Sequence, residues 1–267
     1  MASFTESSQE PLRDIAAPFQ EHSAAAACHG ESVIVEEKSR EEKFEEEFRN
    51  IKYSFGTIRI TDKFDRLEYE GPTDESNWVV KGKLMVGAYP GDINDKKNEE
   101  LLTKILNCGV TTFACLQEEY DNEIAEPIWR DNMGLRPYFK DVEKMISNKT
   151  NYPCLTTPVT HTNFVQLKIK DCNIVDDGVS LKFAKKLVKA IYDGEVVYLH
   201  CWGGHGRAGV VASIMLHLMF NLTAFQSMEL CQTLHDMRKI DLHVCSPQTI
   251  KQRLQVTRII TRVMAEK

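Results

Sequence analysis

The run His200-Cys201-Trp202-Gly203-Gly204-His205-Gly206-Arg207-Ala208-Gly209 sets a cysteine five residues before an arginine, with three glycines between them. Such a loop is equipped to wrap a tetrahedral oxyanion. The glycines allow successive backbone N–H groups to turn inward, and a helix starting at the loop's end would aim its positive end at the same point. Arg207 adds a planar fork of donors that can grip two phosphate oxygens at once. The same field favours the thiolate of Cys201, converting a weak nucleophile into a strong one near neutral pH. Trp202, Gly203, Gly204, His205, Gly206 and Ala208 are then the candidate substrate-binding residues.

A loop of this kind needs a strand to deliver the cysteine and a helix to receive the arginine. Residues 195–200 (EVVYLH) read as a buried strand, and Val210 to Phe220 as a helix apolar nearly all round. Further strand patterns lie at Thr57–Ile60, Trp78–Val80, Leu84–Val86, Val110–Leu116 and Phe164–Lys170. Helical patterns cover Glu99–Asn107 and Val179–Asp193, each stopped by a glycine, and then Ala224–Arg238 and Pro247–Met264. The last is expected to open on Ser246 as its cap and Pro247 in its first turn. Strands alternating with helices predict an α/β fold with a mostly parallel central sheet flanked by helices.

His-Cys-x5-Arg in this strand–loop–helix setting resembles the signature loop of cysteine-based protein tyrosine and dual-specificity phosphatases. The resemblance extends to residues 77–91 (NWVVKGKLMVGAYPG), similar to the opening strands of small dual-specificity-type phosphatases, and to residues 109–113 (GVTTF), similar to their second strand. It covers roughly Trp78 to Val263. It implies the dual-specificity-type fold, attack of Cys201 on phosphorus, a phosphocysteine intermediate, and no metal or organic cofactor. It also implies that His200 supports the loop and lowers the cysteine pKa rather than acting as a base. One position departs from the pattern. The family usually carries Ser or Thr after the arginine, bonded to the cysteine sulfur; here Ala208 stands there, as in the phosphatases of regenerating liver. One lost hydrogen bond to a charged group is worth roughly 1.5–3 kcal/mol, about one to two decades in rate, so breakdown of the intermediate is expected to be slow.

Cleaving a phosphate ester also requires a proton donor for the leaving oxygen. In the family this is an Asp just past a strand, some thirty residues before the cysteine. Asp171 sits 30 residues before Cys201, with Asp176 and Asp177 as competitors that could instead cap the following helix. Gln248 and Gln252 are candidates to orient water, as in some relatives. Cys115 is a candidate disulfide partner for Cys201 under oxidation, again as in some relatives. Cys231, His235, His243 and Cys245 could be imagined as a zinc set, but their wide spacing and the lack of a C-x-x-C argue against metal.

Net charge is −6, with 42 % hydrophobic and 27 % charged residues, which suits a globular domain and argues against a general nucleic-acid surface. No apolar run approaches bilayer length, and no signal peptide or lipidation motif stands out, so no membrane anchor is expected. Eight cysteines without a secretory signal read as reduced thiols, pointing to the cytoplasm with or without the nucleus. Residues 1–50 read as a distinct acidic extension: a disordered polar tail to Gly30, then a charged helix over Glu36–Ile51 with Phe44, Phe48 and Ile51 along one edge, which either rests on the catalytic domain or, alternatively, binds a regulatory partner. The catalytic domain is expected over residues 53–267. Its expected action is slow hydrolysis of phosphotyrosine, with phosphoserine and phosphothreonine as further substrates, on phosphorylated proteins. The alternatives are a phosphoinositide or inositol-phosphate phosphatase, and a largely inactive module that binds phosphorylated partners.

Overall fold

Five short apolar runs become strands: β1 (Ser76–Val80), β2 (Leu84–Gly87), β3 (Thr112–Gln117), β4 (Asn163–Ile169) and β5 (Val197–His200). They form one sheet in the order β1-β2-β5-β3-β4. Only the β1/β2 pair is antiparallel, closed by the turn at Gly82; β2, β5, β3 and β4 run parallel. The structure, a computed structural model, describes residues 40–240 and 243–266. Packing divides the chain into two units, residues 1–47 and 48–267. In the first, residues 40–47 are helical (α1), and the second holds the short helix α2 (Arg66–Tyr69). The second begins a few residues before the expected domain start at 53, because Phe48 and Ile51 are buried in it. The tail to Gly30 and the start of the expected helix at Glu36 lie outside the described residues.

β5 is the central strand, and all four of its residues are buried. Its neighbours bring Gly87 and Cys115 level with His200. The carboxyl ends of β2, β3, β4 and β5 therefore open on one edge of the sheet, where parallel α/β folds hold ligands. One face is covered by α3 (Asp95–Asn107) and α5 (Tyr138–Ser147), whose Leu102, Ile105, Leu106, Val142 and Met145 pack with Phe113 and Tyr198. The other is covered by α6 (Asp177–Tyr192), α7 (Gly206–Phe220), α8 (Ala224–His235) and α9 (Ile250–Ala265). α7 is the hub: every residue but Phe220 is buried, which explains its apolar composition on all sides.

Several boundaries differ from expectation. Thr57–Ile60 is not a strand; Asp62 takes the Arg59 N–H at 2.8 Å, and this local side-chain bond favours a turn over a ladder. The short helix α4 (Glu126–Arg130) and the longer α5 are additional to those expected. α9 begins three residues later than expected: Thr249 and Gln252 form a reciprocal capping box, and Ser246 bonds elsewhere. α8 stops at His235, which releases Arg238 to turn inward.

Gly87 lets β2 approach β5. A Cβ there would lie 2.2 Å from the Tyr198 hydroxyl, which donates to the Ala88 carbonyl at 2.7 Å inside the core. Gly87→Ala is expected to cost about 1–3 kcal/mol through overpacking, read as a lower urea midpoint at unchanged m. A variant as stable as the parent would contradict this close approach.

Candidate active site

The Cys201–Arg207 loop leaves the end of β5 and enters the first turn of α7. Gly204 has φ +71°, and a Cβ there would lie 2.4 Å from the Gly87 backbone. Gly206 is pressed on the Gln252 amide, 2.9 Å from where its Cβ would be. Glycine is thus required by conformation at the first and by space at both. The loop's outer wall is a buried guanidinium. Arg238 donates to the carbonyls of Gly203 and Gly204, both at 2.9 Å, and to Asn77 Oδ1 at 2.9 Å. Ser246 Oγ donates to the His205 carbonyl at 3.0 Å. In a trans peptide the N–H points away from the carbonyl before it. Three carbonyls held by Arg238 and Ser246 therefore turn the N–H groups of Gly204, His205 and Gly206 to the opposite side of the loop.

Cys201 is buried in the loop. The preceding His200 is wholly buried, with Nε2 2.6 Å from the Tyr138 hydroxyl, and burial pushes its pKa down to about 3, so it stays neutral. Arg207 is 1 % exposed. Its Nη1 and Nη2 donate to the two carboxylate oxygens of Glu119 at 2.8 and 2.9 Å, and Nη1 also to the Ile169 carbonyl at 2.9 Å. Nη2 lies 3.1 Å from Asp171 Oδ1. Burial alone would raise the Glu119 carboxyl, but the Arg207 bonds outweigh it and hold the group below its usual range. Arg207 Nε is buried and has no hydrogen-bond partner, a donor left over for a ligand oxygen.

Asp171 follows β4 and lines a cleft of about 280 Å³ with Cys201, Trp202, Gly203, His205, Gly206 and Arg207; Glu75, Cys172 and Gln248 also line it. The competing aspartates are engaged elsewhere. Asp176 caps α6 through the N–H groups of Gly178 and Val179, and Asp177 pairs with Arg258. Trp202 is 58 % exposed on the rim, stacked on Tyr89 at 6.1 Å. Ala208 is buried in the first turn of α7. Gln252 is committed at both ends, accepting from Thr249 N and donating to the Asn173 carbonyl, whereas Gln248 reaches the cleft. Cys115 stands level with His200 on the neighbouring strand, its thiol pushed up to about 12 chiefly by burial. No group of three or more potential ligands able to hold a metal exists among the described residues. Cys231 contacts Ser246, and His235 contacts His205. A larger cavity of about 570 Å³ lies elsewhere, beside Trp129, and its Arg136 is already paired with Asp95 and Asp141.

Four residues of the site escaped the sequence reading: Arg238, Asn77, Glu119 and Tyr138. Each lies more than twenty residues from the loop and reaches it only through the fold. The one available signal was an acidic pair, Glu118-Glu119, directly after an apolar strand.

The family model described as PTP-SAK, Swiss Army Knife protein, DSP-PTPase phosphatase domain, matches residues 73–258. Protein 067L of Invertebrate iridescent virus 3, which carries a tyrosine phosphatase name, is 25 % identical over 167 residues, 62 % of this chain and 55 % of the viral one. Protein 197R of Invertebrate iridescent virus 6, similarly named, is 37 % identical over 71 residues, 24 % of this chain and 27 % of that one. The chain thus spans about half and about a quarter of the length of these relatives. Among solved structures, PTPMT1 in complex with PI(5)P superposes with a TM-score of 0.49 at 15 % identity, covering 72 % of this chain and 98 % of that one. With a family model spanning the sheet, the cysteine–arginine loop and most of α9, the chain belongs to the dual-specificity-type protein tyrosine phosphatases.

Proposed function

We propose that this protein hydrolyses phosphotyrosine in phosphorylated proteins, with phosphoserine and phosphothreonine as further substrates, through a phosphocysteine on Cys201, and that its turnover is slow. The observation that carries this reading is the convergence of Cys201, the unpartnered Arg207 Nε and Asp171 on one cleft. The phosphoryl oxygens would take the loop N–H groups and Arg207 Nε. Asp171, leaving its contact with Arg207 Nη2, would protonate the departing phenoxide and then accept a proton from the attacking water.

Two features support a slow second step. Ala208 offers no hydroxyl to the sulfur as the phosphocysteine breaks down. Arg207 also has most of its fork engaged by Glu119, Ile169 and Asp171 before any substrate arrives. The same two features support a second reading, in which the loop chiefly holds phosphorylated partners. An inositol-phosphate substrate fits less well. The charged side chains of the cleft are Asp171, Glu75 and Arg207, with no lysine among them, and burial lowers the pKa of His205 to about 4.

Rapid mixing with an aryl phosphate, following phenol and inorganic phosphate separately, tests the order of steps. Wild type should give a phenol burst with lagging phosphate. Ala208→Thr should speed the slow phase by about one to two decades. Equal, burst-free release by both proteins would contradict the role given to Ala208.

Asp171→Asn should lower the phenol-release rate by about two to four decades for poor leaving groups, and much less for an activated nitrophenol. An equal loss on both substrates would show that Asp171 is not the proton donor.

A further inference from the structure

Trp202 is the one exposed residue between Cys201 and Arg207, yet its ring is held in place. Its carbonyl accepts the Tyr89 N–H at 2.9 Å. Its indole lies within 10° of parallel to the Tyr89 ring, with 6.1 Å between centroids, the offset arrangement that aromatic pairs favour. Tyr89 is fixed in turn. Its hydroxyl donates to the Arg136 carbonyl, and the Tyr138 ring meets it edge-on at 5.7 Å. One side of the indole is thus backed by an anchored ring, while more than half of its surface stays open.

The open surface borders two hollows. Trp202 lines the catalytic cleft of about 280 Å³ and also a neighbouring hollow of about 450 Å³, with Glu118, Glu119, Lys170 and Asp171. Only Trp202 and Asp171 belong to both. A phosphoryl group held over Cys201 must offer its ester oxygen to Asp171 to be protonated. The organic group beyond that oxygen therefore leaves the cleft across the border that Asp171 shares with Trp202. Trp202 is the only large apolar side chain lining either hollow. Its neighbours at that border carry charge, and Glu119 and Asp171 are engaged by Arg207. No second apolar wall faces the indole, so a departing ring meets one platform and not a slot.

Resting on the phosphatase reading above, we propose that Trp202 is the specificity-determining residue of the site. Its indole, backed by Tyr89, receives the aromatic ring of an aryl phosphate monoester such as phosphotyrosine. An alkyl phosphate ester has no flat ring to lay against it. Stacking on a single platform favours the aromatic ligand by about twofold to tenfold. The preference is therefore graded: phosphotyrosine leads, and phosphoserine and phosphothreonine are bound more weakly without being shut out.

The test is calorimetry of the full-length Cys201→Ser protein with phenyl phosphate and with cyclohexyl phosphate. The two ligands share a phosphoryl group and the same number of ring carbons, but the second ring is puckered and has no π face. The ratio of their dissociation constants therefore reads the flat-ring contact alone. Phenyl phosphate should bind about twofold to tenfold more tightly. Trp202→Leu added to Cys201→Ser should bring the ratio near one, and Trp202→Phe should keep most of the preference. A ratio near one with Trp202 present overturns the proposal. So does a preference that survives Trp202→Leu, an equal weakening of both ligands by that change, or a Trp202→Phe protein that behaves like Trp202→Leu. Each of these leaves the phosphatase reading standing. Failure of both ligands to bind any of the proteins overturns both.

Discussion

The buried guanidinium of Arg238 is the constraint on which the site depends. It holds the carbonyls of Gly203 and Gly204 and the side chain of Asn77, and among the described residues it pairs with no carboxylate. A cation taken out of water without a counter-charge is costly, and burial lowers its pKa accordingly. Three short hydrogen bonds to neutral oxygens offset the cost. The bonds to the two glycine carbonyls turn the loop's N–H groups to its opposite side. One side chain thus ties together the hairpin strand β1, the turn after α8 and the cysteine–arginine loop.

The central parallel strands carry the rest of the geometry to that point. β5 delivers Cys201, β3 delivers Glu119, β4 delivers Asp171, and β2 comes close enough at Gly87 to brace Gly204. Glu119 holds Arg207 in place but also engages much of its fork, so the resting site is locked into its own ion pairs. Ala208, where the family resemblance leads one to expect a hydroxyl, is the basis of the proposal that such a site captures a phosphoryl group and releases it slowly.

What the sequence makes legible here is what is local. The strand, the glycine-rich turn and the apolar helix around Cys201 lie within about twenty-five residues, so periodicity and residue type sufficed to place them. Asp171 was legible only with competitors, because a capping aspartate and a catalytic one look alike until the fold shows that Asp176 caps α6 and Asp177 pairs with Arg258. Arg238 read as the end of a helix and Asn77 as the start of a strand. Nothing along the chain shows that they meet across 160 residues. His235 was noticed as part of an imagined zinc set; in the fold it meets an imidazole of the loop and the Asp236 carboxylate. Ser246 read as a helix cap and instead holds the loop carbonyl of His205, because the capping box at Thr249 and Gln252 took over that role.

The most direct measurement is mass spectrometry of protein quenched in acid milliseconds after mixing with a phosphotyrosine peptide. The account predicts one phosphoryl group on the peptide containing Cys201, accumulating in wild type, short-lived in Ala208→Thr and absent in Cys201→Ser. Peptide dephosphorylation with no adduct on Cys201 at any time, or undiminished by Cys201→Ser, would contradict it.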